Sequence, residues 1–147
     1  MAREIKFRGK NSKTKQWVYG DLLHVGNGFI ITTNSELGEP LPDGDIGLAY
    51  SLDEIAVVIP ETVGQFTGLL DKSGKEIYEG DIIFSKKCDC RAILHKVEYN
   101  VDNAMFVAKP IQGWDFDFCQ IRKDWIDKYG KEVIGNVFDN PEPMEGE

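Results

Sequence analysis

Cys88, Asp89 and Cys90 stand together in the polar segment SKKCDCRAILHK, with His95 five residues beyond Cys90 and Cys119 further along the chain. Thiolates and an imidazole are the ligand types of a structural zinc site, so Cys88, Cys90, His95 and Cys119 are the residues a metal would take. Their spacing argues against one. C-x-C is tighter than the usual C-x2–4-C knuckle and no second paired motif follows, so no metal and no cofactor is expected and the thiols read as buried or incidental. His95 beside a thiol would make a nucleophilic Cys–His pair, but no orienting residue or oxyanion element accompanies it. Three cysteines, an odd count, also argue against a disulfide scaffold.

Two carboxylates invite the same test. Asp21 and Asp81 each follow a glycine and precede two apolar residues, in YGDLL and EGDII. As a pair they would serve acid–base or metal chemistry, but such a site needs further convergent polar groups, and the sequence supplies none. Gly before Asp reads instead as an architectural break: the glycine permits a bulge or close backbone approach, and the carboxylate satisfies loose N–H groups. The run WDFDF places Trp114, Phe116 and Phe118 on one face of a strand and Asp115 and Asp117 on the other. These aromatics either fill the core or form an interaction surface for a partner protein; base stacking is disfavoured by the neighbouring carboxylates. His24 is expected on a strand surface. No phosphate-binding signature is present, and GNG at Gly26 to Gly28 reads as a hairpin turn. No catalytic residue is assigned, so the chain is not expected to be an enzyme.

The elements that would position these residues are mostly strands. Strands are expected at Ile5 to Phe7, in QWVYGDLLHV, in FIITT, at Ala56 to Ile59, from Val63 to Phe66, in IYEGDIIF, in KVEYN and AMFVAKP around a VDN turn, and in EVIGNVF. Gly9 to Lys15 and DKSGKE read as turns, Ser51 to Glu54 as a short turn, and NSELGEPLPDGDIG as a surface loop. One helix is expected near residues 119–129, because Ile121, Trp125 and Tyr129 recur at i, i+4 and i+8 and Gly130 suits its C-cap. The fold class is therefore mainly β, a β-rich α+β arrangement of small β-barrel-like units with one short helix.

The 147 residues, 41% of them hydrophobic, suffice for one domain or two small fused lobes. No apolar run approaches membrane-spanning length, and the basic N-terminus lacks the apolar core of a signal peptide, so a soluble cytoplasmic protein is expected. A net charge of −8 weighs against general nucleic-acid binding, although Arg3, Lys6, Arg8, Lys10, Lys13 and Lys15 gather at the N-terminus.

Setting Asp81 over Asp21 aligns Lys15 with Lys75, Trp17 with Ile77, Gly20 with Gly80, Leu22 with Ile82 and Leu23 with Ile83, and FRG at Phe7 with FTG at Phe66 after one gap. The order of hairpin, turn, Gly-Asp and apolar pair points to an internal duplication, with sub-units at 3–62 and 63–140 inside a single domain spanning 1–147.

Three stretches carry a family resemblance: REIKFRGK from Arg3, QFTGLLDKSGKEIYEGDII from Gln65 and EVIGNVFDNPE from Glu132. In this order they resemble the YopX family of phage and prophage proteins over nearly the whole chain. Gly9-Lys10 departs from the Ala-Trp that the family pattern carries there, and Leu70 replaces a Lys. The resemblance implies a β-rich fold, a phage or prophage origin, a bacterial host cytoplasm and a tendency to self-associate into a homo-oligomer. It implies no reaction, because the family has no established activity. The expected function is that of a non-enzymatic accessory protein, a binding or adaptor protein acting on a host or phage protein. The alternatives left open are a nucleic-acid binder in phage DNA metabolism and, behind it, a small zinc module.

Overall fold

The computed structural model describes residues 3–33, 55–85, 94–111 and 119–140. Among these, eleven antiparallel strands, a 3-10 turn and one short α-helix form two compact units, residues 1–65 and 66–147. The described residues are mainly β with one α-helix, as the alternating apolar runs predict.

In the first unit, β1 (Phe7–Lys10), β2 (Trp17–Val25), β3 (Gly28–Thr32) and β4 (Ile55–Val58) follow one another as a meander, each pairing with the next. The first residues of β5 (Gly64–Leu70) pair on the other edge of β1, Gly64 with Arg8 and Gln65 with Phe7. The β2–β3 hairpin turns at Gly26, whose φ is 60°. Ile31, Ala56 and Val58 form the buried core of this unit, joined by Val18, Leu22, Phe29 and Val63.

The meander curls back on itself beyond β1. Ser12 N–H donates to the Val57 carbonyl at 2.8 Å, Ile59 N–H donates to the Lys10 carbonyl at 2.9 Å, and Asn11 bridges to Val58. A 3-10 turn, Pro60–Thr62, is pinned there: the Thr62 hydroxyl donates to the Ile59 carbonyl at 2.6 Å and accepts the Lys10 N–H at 2.9 Å. A single bridge does not make a continuous ladder, so the described residues of this unit form a curled sheet and no closed barrel.

In the second unit the remainder of β5 pairs with β6 (Glu76–Tyr78), Phe66 opposite Tyr78, with a bulge before Leu70. A five-stranded sheet follows in the order β10-β9-β8-β7-β11, built from β7 (Asp81–Ser85), β8 (Leu94–Asn100), β9 (Met105–Pro110), β10 (Cys119–Gln120) and β11 (Lys131–Asn136). Its core joins Ile77, Ile83, Val97 and Ala108 to Trp125 and Ile126 of the helix α1 (Lys123–Tyr129). The Lys131 ammonium, fully buried, lies 4.1 Å from the Trp125 ring centre and 5.7 Å from that of Tyr129, a cation–π clamp between β11 and α1.

The turn between β5 and β6 is organised by Asp71, whose side chain is buried. Its Oδ1 accepts the N–H groups of Ser73 and Lys75, both at 2.8 Å, and its Oδ2 accepts the N–H of Val133 at 2.8 Å. Lys72 N–H also donates to the Lys131 carbonyl at 2.9 Å. The turn therefore occupies hydrogen-bonding groups on the outer edge of β11, which a bare edge strand would leave open to another chain.

Several boundaries differ from the sequence expectation: IYEGDIIF is divided between β6 and β7 by a turn at Gly80, β5 runs on past Phe66 to Leu70, and β8 begins at Leu94. β1 runs on through Gly9 and Lys10 instead of ending at Phe7, because β2 gives each of its residues a partner. The helix begins at Lys123, and Cys119–Gln120 is a short strand against Val107 and Ala108. Ile121 precedes the helix but still packs on the core beside Trp125 and Tyr129, so the apolar spacing reported burial correctly and helix length incorrectly. The predicted turn at 51–54 and the surface loop lie outside the described residues.

The β8–β9 hairpin closes with Ala104 at φ 52°, an unfavourable conformation for a residue with a Cβ. Ala104 is exposed, so Ala104→Gly is expected to stabilise the protein by about 0.5–1 kcal/mol. Urea denaturation measures this, and a destabilised variant would contradict it.

Candidate interaction surface

The two Gly-Asp sites mark a common change of strand partner. In the first unit Trp17 to Gly20 pair with β1, whereas residues from Asp21 onward pair with β3. In the second, Tyr78 pairs with β5, whereas Ile82 to Phe84 pair with β8 and Asp81 with Asn136 of β11. The local chemistry differs. Gly80 sits in a turn at φ 89°, where an added Cβ would lie 2.9 Å from the Phe138 ring; its N–H donates to the Val97 carbonyl and its carbonyl accepts the Val137 N–H, both at 2.9 Å. Asp81, 1% exposed, accepts the Tyr78 N–H at 2.8 Å. Its carboxylate holds the turn together.

Asp21 is instead exposed on a strand that continues unbroken. It lines an open cleft of about 330 Å³ with Lys6, Tyr19, Thr32 and Thr33, and with Glu4, which pairs with Lys6 at 3.3 Å. Asp21 and Asp81 therefore have different surroundings, one solvated and one buried in a turn.

The larger feature of the first unit is the face of its meander opposite the core. Cross-strand partners project to the same side of a sheet, and alternate residues to opposite sides. Leu22, Ile31 and Ala56 are register partners on the core side. Their neighbours Leu23, Ile30 and Val57 are register partners on the other side, forming an aliphatic row across three strands. Leu23 is 38% exposed, Val57 56%, Val25 57% and Tyr19 45%, with Ile30 partly exposed between Leu23 and Val57, so the ends of this row face solvent. Contiguous exposed apolar groups of this kind mark contact surfaces more often than they mark chance.

The same face changes character at β1. Lys10 opposes Trp17 and Arg8 opposes Tyr19. The Arg8 guanidinium lies 4.5 Å from the Trp17 ring centre and the Lys10 ammonium 5.5 Å from it. Arg8 is buried, whereas Lys6 and Lys10 are partly exposed and Lys13 and Lys15 are exposed in the following turn.

The residues singled out by sequence fare unevenly. Trp114, Phe116 and Phe118 lie outside the described residues, as do Cys88 and Cys90. Cys119 belongs to β10. His95 is fully buried on β8, edge-on to Trp125 at 5.6 Å between ring centres. Among the described residues no group of three His, Cys, Asp or Glu side chains could hold a metal ion. His24 lies on an exposed strand position, as expected, stacked on Phe29 at 4.8 Å. Sequence reasoning missed the Leu23–Ile30–Val57 row, because each residue sits in an apolar run and only strand register shows which of them are turned outward.

This architecture and its Gly-Asp turn agree with the comparison to known families: the YopX protein model matches residues 6–145, and the chain belongs to that family. The crystal structure of protein EF1440 from Enterococcus faecalis is similar to this chain, with 27% sequence identity and a TM-score of 0.61, covering 98% of this chain and 100% of that one. No curated protein matches the chain. Among the described residues no helix is long and apolar enough to cross a membrane.

Proposed function

We propose that this YopX-family protein is a non-enzymatic binding or adaptor protein of phage or prophage origin, acting in the bacterial cytoplasm on a host or phage protein. The observation that carries this reading is the solvent-facing row of Leu23, Ile30 and Val57 with Val25 and Tyr19 beside it. A soluble domain gains nothing by exposing such a row on its own, whereas a partner that covers it gains the free energy of apolar burial. Affinity capture from phage-infected bacterial extract tests the reading. A specific protein retained above an unrelated bait is expected, and repeated failure to retain any would overturn it.

A nucleic-acid reading draws on a specific feature, the Arg8–Trp17–Lys10 strip, since cations beside an aromatic ring suit phosphate and base together. The chain's net charge of −8 opposes it. Passage through a heparin column at low salt without retention is expected; retention at moderate salt would favour this second reading. The homo-oligomer suggested by the family resemblance is part of the proposal and is read directly by light scattering.

A further inference from the structure

We infer that the outward face of the β1–β4 meander docks an acidic, apolar-containing segment of a partner protein; the assignment rests on the binding reading above and specifies its partner. Two zones of one face carry it. The aliphatic zone is the Leu23–Ile30–Val57 row with Val25, three strands wide in register. The cationic zone adjoins it along β1 and its turn, where Lys6, Lys10, Lys13 and Lys15 keep part or all of their surface in solvent. Residues 3–33 hold six basic side chains against the two acidic ones of Glu4 and Asp21, in a chain whose overall charge is −8. Residues 1–65 as a whole hold nine acidic side chains against these six basic ones, so the positive charge is local to β1 and its turn, with Asp21 on the same outward side, and it acts on a carboxylate at contact range.

Aliphatic side chains select between anionic partners. Leu, Ile and Val offer no ring for bases to stack on and no hydrogen bonds for phosphates, so beside the lysines they suit Leu, Ile or Phe flanked by Asp or Glu better than a polynucleotide. Within β1, Arg8 and Lys10 project to one side of the sheet, Arg8 buried and Lys10 partly exposed, while Lys6 precedes the strand and pairs with Glu4 at 3.3 Å.

Fluorescence anisotropy with three labelled synthetic peptides and a DNA oligonucleotide tests this on the intact chain. The peptides alternate Glu with Leu, Lys with Leu, and Glu with Ser. Binding is expected for the Glu–Leu peptide, with at least roughly tenfold weaker binding of the other two and of DNA. Val57→Ser and the double change Lys6→Gln with Lys10→Gln are each expected to weaken it several-fold, and only the lysine variant should flatten its dependence on salt. These side chains have exposed or partly exposed surface, and circular dichroism together with the urea midpoint verifies that each variant folds; Val57→Thr serves if Val57→Ser does not. Preference for DNA, for the basic peptide or for the Glu–Ser peptide would overturn the proposal, as would failure of every probe to bind. Capture from infected extract separates the two levels. A partner retained equally by wild type and face variants removes this surface but leaves the binding reading standing, and no partner for any of them removes both.

Discussion

Asp71→Ala is expected to lower the stability of the protein by about 3–5 kcal/mol, because one buried carboxylate serves three backbone donors. Ser73 and Lys75 donate to one oxygen and Val133, 62 residues further along the chain, donates to the other. A hydrogen bond to a charged group contributes about 1.5–3 kcal/mol, and losses within one network are not additive, so the total falls below three times that value. Alanine leaves the Val133 N–H without its acceptor at the edge of β11 and removes the side chain that shapes the turn. Asp71→Asn refines the prediction. An amide has one acceptor oxygen, so it can serve the turn or Val133 but not both, and its NH2 meets an N–H at the remaining position. A loss of about 1–3 kcal/mol is expected for it. Urea denaturation of the two variants measures both values, and hydrogen exchange at Val133 reports the far end of the contact. A loss below about 1 kcal/mol for Asp71→Ala would show that the carboxylate does not organise this turn.

Gly20→Ala is expected to cost as much, about 3–5 kcal/mol, for a steric reason. An added Cβ at Gly20 would stand 1.9 Å from the Thr32 carbonyl oxygen and 2.9 Å from its carbon, both backbone atoms of the paired strand. The neighbour cannot rotate away, so β2 and β3 must separate where β2 passes from one partner to the next. The φ of 156° adds backbone strain for any residue with a side chain. Gly26→Ala is the control: its φ is also positive, at 60°, but nothing lies within 4 Å of the added atom. It is expected to cost only about 1 kcal/mol. Equal midpoints for the two variants in urea would remove the close approach as the reason for glycine at position 20.

The strands were legible because each needs only local information. QWVYGDLLHV and FIITT alternate or concentrate apolar residues on either side of GNG, and the hairpin they announce is β2–β3. KVEYN and AMFVAKP behave likewise as β8 and β9. The helix was legible through its buried positions and its left-handed cap at Gly130, φ 60°, but its start was not. Arg122 precedes it with no side-chain cap, so no N-terminal signal marks the boundary. Lys10 looked like the edge of a turn because its strand conformation comes from Trp17 and Thr62, neither of which is local. The candidate surface was hidden for the same reason. Leu23 and Leu22 are identical by residue type, and only register assigns one to solvent and the other to the core.

What the sequence by itself determined is the mainly β character, the hairpins, the family and a Gly-Asp pair that breaks the strand at positions 80 and 81 but not at 20 and 21. These follow from turn chemistry, alternation and a long ordered motif, all of which act over a few residues. Tertiary structure decided how two equivalent dipeptides diverge. At position 81 the carboxylate is buried and bound to the Tyr78 N–H, and at position 21 it stands in a solvated cleft. The physical reason is surroundings: Gly80 turns the chain beneath Phe138 and holds Asp81 inward, whereas β2 runs straight through Gly20 and leaves Asp21 on the outward side of the strand.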